Sequence, residues 1–217
     1  MNLLITYGGT SEPIDNVRYI TNFSTGETGY SIAQYLKQQD LSVTTLCARS
    51  ARGFAGSKRF FTYEDLQNHL YHELRNHSYD VVIHAAAVSD YLIDEVKTAE
   101  GNKGLSSGGK LKSGQNLVLK LKPSKKILSQ LREHSKNKNI CIIAFKLTDN
   151  ASLEEREASV ARVFDDGANY VVHNDLNAIH HKVHKGSIYD HKQHICNEFH
   201  SKEELAKNLF HIIQEQS

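Results

Sequence analysis

The sequence predicts an α/β fold: a three-layer, Rossmann-like, mostly parallel sheet with helices on both faces and a small C-terminal β-hairpin. Two observations carry that prediction. The chain opens on an apolar run, Leu3-Leu4-Ile5-Thr6, and passes through Tyr7-Gly8-Gly9-Thr10 toward a helical pattern near Glu27-Thr28-Gly29. That strand–glycine–helix order is how nucleotide-binding domains begin, because glycine admits a phosphate to the backbone and a helix N-terminus offers unpaired N–H groups. Apolar runs of strand length then alternate with segments of helical period.

Taken in order, Gly29 to Gln39 reads as a helix with Ile32, Ala33, Tyr35 and Leu36 on one face, and Leu41 to Ala48 as the second strand. Glu64 to His77 is helical. Asp80 to Ala87 is a third strand, apolar almost throughout, as a parallel strand covered on both faces must be. Lys97 to Gln115 lacks apolar periodicity and interleaves glycines and serines with Lys103, Lys110 and Lys112, which predicts a flexible flap. Asn116 to Lys122 alternates as a fourth strand, and a helix is expected from Pro123 onward with Ile127, Leu128 and Leu131 inward. Ile140 to Phe145 is the fifth strand, Ser152 to Asp166 a helix closed by Gly167, and Asn169 to Val172 the sixth strand. Ser187-Ile188-Tyr189 and His194-Ile195-Cys196 form the hairpin, and Lys202 to Gln214 a last amphipathic helix. Residues 1–217 show no repeat and no linker, so one domain is expected.

Composition narrows the function. A net charge of +1 gives no global case for nucleic acid. Three cysteines without a CxxC argue for a reducing compartment and against a disulfide framework. The N-terminus is a strand without a signal-peptide pattern, and no apolar run approaches a membrane span, so a cytoplasmic protein is expected. The 13 histidines are scattered; His180-His181 and His184 come nearest to a cluster but lack metal-site spacing.

The long polar segment from Ser11 to Gly26 departs from a dinucleotide fold, which joins strand to helix in a few residues and carries G-x-G-x-x-G. A connection of this length in a compact domain is usually functional. It offers two anion sites, the Gly8-Gly9 turn and Ser24-Thr25-Gly26 at the helix mouth; the ordinary alternative is a surface loop ending in a Ser/Thr N-cap. Val88-Ser89-Asp90-Tyr91 ends the third strand, where ligands of open α/β sheets sit, and Ala85 and Ala86 are small enough for a ring or ribose to approach the backbone.

These residues resemble the phosphopantothenate–cysteine ligase family (phosphopantothenoylcysteine synthetases) of coenzyme A biosynthesis. The opening GGTSEPIDNVRYITNFSTGETG is similar to the family's GGT-x-EPID-x-VR-[FY]-[IL]-x-N-x-SSG-x-x-G, and the family carries AAV-[AS]-D-[YF] at the Asp90 turn. Lys110 and Lys112 match two lysines of its K-x-K-K flap, with Ser113 in place of the last. Phe145 falls in its GF-x-x-E-T motif, and Asn174-Asp175 in its A-N-D motif, with His173 differing.

The resemblance implies one nucleotide-binding ligase domain over 1–217 with a flap at about 97–115. It implies Asn22 and Lys110 as catalytic, and Gly8, Gly9, Thr10, Arg18, Ser24, Thr25 and Gly26 as substrate-binding. The nucleotide would meet Ala85, Ala86, Asp90, Lys112, Lys122, Lys125, Phe145, Arg162 and Asn174; counting back from Asn174 places Arg162 and Asp166 where many bacterial members bear lysines. It further implies Mg²⁺ with CTP favoured over ATP as co-substrate, Asp90 near either the ribose or the metal, whose ligands are left unassigned, no flavin and no NAD. The partners implied are 4′-phosphopantothenate, L-cysteine and CTP, a homodimer, and a separate phosphopantothenoylcysteine decarboxylase for the next step, with no nucleic acid and no membrane. Two other readings stand beside it. Arg49 and Arg52 after the second strand suit an NADP-dependent Rossmann-type reductase, although no tyrosine has a lysine four residues on. Ser113 and Asp166 suit a non-catalytic nucleotide-sensing module.

Overall fold

The computed structural model describes residues 1–98, 101–103, 110–112, 114, 116–180 and 183–216; Ser113 and His181, singled out above, lie outside them. In chain order the elements are β1 (Asn2–Gly9), β2 (Ser11–Pro13), β3 (Tyr19–Thr21), α1 (Glu27–Leu36), β4 (Ser42–Ala48), β5 (Lys58–Phe60), α2 (Tyr63–Asn76) and β6 (Val81–Ala87). They continue as β7 (Tyr91–Thr98), β8 (Gly101–Lys103), β9 (Val118–Pro123), α3 (Leu131–His134), β10 (Cys141–Thr148), α4 (Leu153–Asp165), β11 (Tyr170–His180), β12 (Val183–Tyr189), β13 (Ile195–Phe199) and α5 (Lys202–Gln214).

The main sheet has eight strands in the order β13-β12-β11-β10-β6-β1-β4-β5. From β11 to β5 all neighbours are parallel, while β12 runs antiparallel to β11 and β13 antiparallel to β12. The expected C-terminal hairpin therefore extends the parallel sheet at one edge. Right-handed crossovers place α1 on one face, where α5 packs against it, and α2, α3 and α4 on the other. Leu3, Leu4, Ile5, Val81, Val82, Ile83, Ile142 and Ile143 are fully buried between those layers, which explains why the β1, β6 and β10 sequences are apolar on both faces.

Two small antiparallel sheets stand apart, β2-β3 and β8-β7-β9. They hold the main differences from expectation. The run 116–122 is a strand, but it pairs antiparallel with β7 and takes no part in the main sheet. Its partner, Tyr91-Leu92-Ile93-Asp94-Glu95-Val96-Lys97-Thr98, mixes charge into its inward positions and a bulge between Ile93 and Glu95, so no clean period of two marks it. Pro123 ends β9 rather than opening a helix; the next helical turn starts at Leu128, because Ser124 is committed to Ser89 and Asp90 by hydrogen bonds of 2.7 and 2.9 Å.

A buried polar pair crosses the centre of the main sheet. Thr6 and His84 are register partners, and Thr6 Oγ1 lies 2.8 Å from His84 Nδ1. Burial lowers the His84 pKa from 6.5 to about 4, so the folded state holds the imidazole neutral. Between those values the unfolded chain binds the extra proton, so stability is present above pH 6.5 and lost as pH falls toward 4. By linkage His84 contributes about 3 kcal/mol to that slope. Thermal unfolding should show a falling melting temperature across this window, to which His173 and His184, also lowered to about 4 chiefly by burial, contribute in the same direction; a flat profile there would count against neutral buried imidazoles.

Candidate functional site

The carboxyl ends of β1 and β6 lie side by side, with Gly8 opposite Ala86 and Gly9 opposite Ala87. Gly8 has φ of 90°, and a Cβ on it would sit 2.5 Å from Ala48 Cβ. Gly26, at φ of 76°, caps the start of α1, and a Cβ there would come within 3.1 Å of the Gly8 backbone. These two glycines let the end of β1, the mouth of α1 and the turn after β4 meet without side chains between them. Gly26 offers no side-chain cap, Thr25 Oγ1 accepts from Glu27 N at 3.4 Å, and the other N–H groups of the first turn of α1 have no side-chain cap, with Ser24 half-buried and Thr25 exposed beside them.

A closed ring of hydrogen bonds and short covalent stretches joins the β2–β3 hairpin to the end of β6, the segment after β9 and the start of α2. Thr10 is fully buried, and its hydroxyl accepts from Ser89 N at 2.9 Å. Ser89 O accepts from Ser124 Oγ at 2.7 Å, and Lys125 O from Tyr63 Oη at 2.9 Å. Tyr63 N, at the start of α2, donates to the buried Glu12 Oε1 at 2.9 Å, which returns the ring to the β2–β3 hairpin. Burial raises the Glu12 pKa, opposed by the Tyr63 N–H.

The hairpin tip grips the flap. Asp15 Oδ2 accepts from Leu111 N at 3.0 Å, and Arg18 Nη2 donates to Leu111 O at 2.7 Å. Asp15 and Arg18 are themselves an ion pair at 2.6 Å, and Asp15 Oδ1 accepts from the Val17 and Arg18 N–H groups at 2.9 and 2.8 Å. Burial would raise the Asp15 pKa, but the Leu111, Val17 and Arg18 donors outweigh it and hold the carboxyl below the ordinary carboxylate range. Leu111 is buried against Ile93 and Val96, with Ile14 alongside. Lys110 and Lys112 flank it and are both exposed, so the anchored leucine presents a lysine on either side. Asn22 follows β3 directly; its Nδ2 donates one hydrogen to Val88 O at 3.0 Å and keeps the other. Asn22 lies four residues beyond Arg18, a span of roughly 13 Å in extended chain.

The remaining candidates divide. Ala85 and Ala86 are half-buried at the carboxyl end of β6. Asp90 is exposed and paired with Lys126 at 2.6 Å. Lys122 shares Asp94 with Lys120, and Lys125 is exposed on the ring. Asn174 is buried midway along β11, opposite Leu147 near the carboxyl end of β10, its amide donating to Lys185 O at 2.7 Å. Beside it Asp175 accepts from Thr148 Oγ1 at 2.7 Å and from the Asn150 and Ala151 N–H groups, and the Thr148 hydroxyl leads the causes that lower its pKa to about 2. Phe145 packs half-buried against the main core. Arg162 is not brought to the others. It occupies the last turn of α4, where Asn169 N bonds Ile142 O at the amino ends of β10 and β11, some 14 Å along the helix from the carboxyl edge.

Sequence reasoning missed Asp15, Glu12 and Thr148. Asp15 and Glu12 sit inside the EPID motif, whose two carboxylates three residues apart were the available signal. Among the described residues no group of three or more His, Cys, Asp or Glu could cage a metal. Asp90 and Asp149 are exposed carboxylates just past the carboxyl ends of β6 and β10, and Mg²⁺ is ordinarily held by one or two carboxylates together with substrate phosphates.

The model of the DNA/pantothenate metabolism flavoprotein C-terminal domain family matches residues 1–216. The coenzyme A biosynthesis bifunctional protein CoaBC of Thermococcus kodakarensis is 34% identical over 179 residues, covering 81% of this chain and 41% of that protein. The chain thus spans less than half of this curated relative. The DNA/pantothenate metabolism flavoprotein from Streptococcus pneumoniae superposes with a TM-score of 0.85 at 29% identity, covering 100% of both chains. A Cab2 mutant in complex with phosphopantothenate-cysteine shares the fold, with a TM-score of 0.75 at 18% identity over 100% of this chain and 87% of that one.

Asp15→Asn keeps the shape of the tip and removes the charge that orders it. Tryptic cleavage after Lys110 and Lys112 in the native protein should rise about tenfold, the equivalent of ~1.4 kcal/mol of local stability. Unchanged cleavage would show that Leu111 is held by its apolar contacts alone.

Proposed function

We propose a function from one premise: the chain belongs to the DNA/pantothenate metabolism flavoprotein C-terminal domain family. On that premise it joins 4′-phosphopantothenate to L-cysteine, with CTP favoured over ATP as the nucleotide. The observation that carries this reading is that one hairpin holds both Asn22, at the carboxyl ends of β1 and β6, and Leu111, between the flap lysines.

The proposed chemistry has two steps. A carboxylate oxygen of phosphopantothenate attacks the α-phosphorus of CTP, and pyrophosphate leaves. The amine of cysteine then attacks the acyl carbon, and cytidine monophosphate leaves with the bonding electron pair. Such transfers need alignment and charge neutralisation more than covalent help from the protein. Lys110 supplies positive charge at the α-phosphate, and Lys112 does so for the phosphate tail. Asn22 donates its remaining amide hydrogen to the acyl oxygen as negative charge develops there. Arg18, half-exposed beyond its bond to Asp15, and the open first turn of α1 next to Ser24, Thr25 and Gly26 provide for substrate phosphate or carboxylate. Asp90 would hold Mg²⁺ that arrives with the nucleotide and neutralises its phosphates.

A homodimer fits the surface of the hairpin and flap sheet. Phe23 is 98% exposed, and Val17, Tyr19, Tyr91 and Val118 are each more than half exposed on the same two sheets. Apolar surface concentrated beside a site is characteristic of a partner interface, and a second copy would complete the substrate site there.

Pyrophosphate release that requires phosphopantothenate, together with product formation that further requires cysteine, is the expected result with CTP. Release with neither substrate dependence would overturn the assignment. Lys110→Ala should abolish pyrophosphate release while circular dichroism stays native. Asn22→Ala should slow amide formation by about 10²–10³ and nucleotidyl transfer much less; equal loss in both steps would remove Asn22 from the acyl oxygen.

A further inference from the structure

A hydrogen-bond hub that none of the steps above uses joins the carboxyl end of β10 to the middle of β11. Thr148, the last residue of β10, is the register partner of Asp175, and Lys146 that of His173. Val171, His173 and Asp175 alternate onto one face of β11, the face on which Val171 packs against Val160 of α4. There Thr148 Oγ1 lies 2.7 Å from Asp175 Oδ2 and 2.9 Å from His173 Nε2. His173 is buried and is the residue at which this chain departs from the A-N-D motif. The ladder from β11 to β12 is interrupted just beyond, between Asn174 and Ile179, so the hub supplies order where that pairing stops.

The direction of each bond follows from the groups. A hydroxyl has one hydrogen, and an ionised carboxylate only accepts. Thr148 therefore donates to Asp175, since Asn174 O is farther, at 3.5 Å, and uncharged. Burial, aided by the charges of Arg156 and Lys146 and opposed by Asp175, lowers the His173 pKa to about 4, so its ring is neutral at neutral pH. Its one ring hydrogen then sits on Nε2 and is donated to Thr148. The chain from His173 through Thr148 ends on a carboxylate that also accepts from Asn150 N at 3.0 Å, Ala151 N at 3.2 Å and Asn177 N at 3.1 Å. Asn150 takes φ of 51° within that grip. Asp175 thus fixes the turn from β10 to α4, and with it Asp149, exposed at the sheet edge where ligands of open α/β folds bind. We propose that Thr148 and His173 are positioning residues for the nucleotide, acting through Asp175 on the 149–151 turn. The inference rests on the nucleotide site of the ligase reading.

Titration calorimetry of CTP–Mg²⁺ and ATP–Mg²⁺ without phosphopantothenate, run beside steady-state ligation, tests the two separately. Thr148→Val removes the donor and keeps the shape. It should weaken the bound nucleotide about tenfold and raise its KM alike, with the KM for phosphopantothenate and the circular dichroism unchanged. Thr148→Ser should restore the native affinity. Long-range proton–nitrogen NMR correlation should show His173 protonated on Nε2 in the native protein and as a mixture of tautomers in Thr148→Val. Unchanged nucleotide affinity in Thr148→Val, an equally weak Thr148→Ser, a parallel rise in the KM for phosphopantothenate, or His173 protonated on Nδ1 would each overturn the proposal and leave the ligase reading standing. A native protein that binds nucleotide but forms no product would overturn the ligase reading, while calorimetry and NMR still decide this one. Binding of neither nucleotide would overturn both.

Discussion

The carboxylate of Asp15 is the constraint on which the site depends. Its two oxygens order the turn that carries them, orient the Arg18 guanidinium and take the backbone N–H of a residue 96 positions later. Arg18 completes the grip on the carbonyl of that residue. A backbone held at both its N–H and its C=O cannot rotate away from its anchor, whatever its neighbours do. The lysines on either side of Leu111 are therefore placed by the hairpin. Positioning has been moved from the flap to the hairpin, where burial and ion pairing are available to supply it.

The parallel sheet provides the frame for that arrangement. Its central strands are buried on both faces, so their carboxyl ends sit at fixed relative heights, and Gly8 and Gly26 allow the α1 mouth to close against β1. The antiparallel pair β12–β13 completes the sheet at one edge. There Gly186 leaves room for His173 O and Asn174 Nδ2, either of which a Cβ would approach within 2.6 Å. Asn174 is thus placed by a glycine in the neighbouring strand as much as by its own segment.

What could be read from the sequence followed from how local the cause was. The buried parallel strands announce themselves through uninterrupted Val, Ile and Leu, and α2 and α4 through helical period, with Gly167 closing α4; the capping boxes at Thr62 and Ser152 were found only in the structure. The strand at 91–98 did not, because its order comes from pairing with 118–123 and its own residues include Asp94, Glu95 and Lys97. The helix expected from Pro123 lost to tertiary hydrogen bonds at Ser124 that no propensity records. At the site, glycines and the Asp90 turn were legible because strand ends mark them. The roles of Glu12 and Asp15 were not, since their partners Tyr63 and Leu111 lie 51 and 96 residues away. Arg162 was placed by counting along the chain, which is blind to the direction in which a helix leaves the edge of a sheet.

The ring that runs from Thr10 through Ser89, the Ser124–Lys125 turn and Tyr63 to Glu12 has no free end. Opening one link leaves a single connected arc whose members still know their neighbours, whereas opening two links on opposite sides releases a fragment. Ser89 and Lys125 enter the ring through backbone atoms alone, so tolerance to change is conditional at Thr10, Glu12, Tyr63 and Ser124: each can drift while the other three are intact. The history of these residues should accordingly be written in pairs.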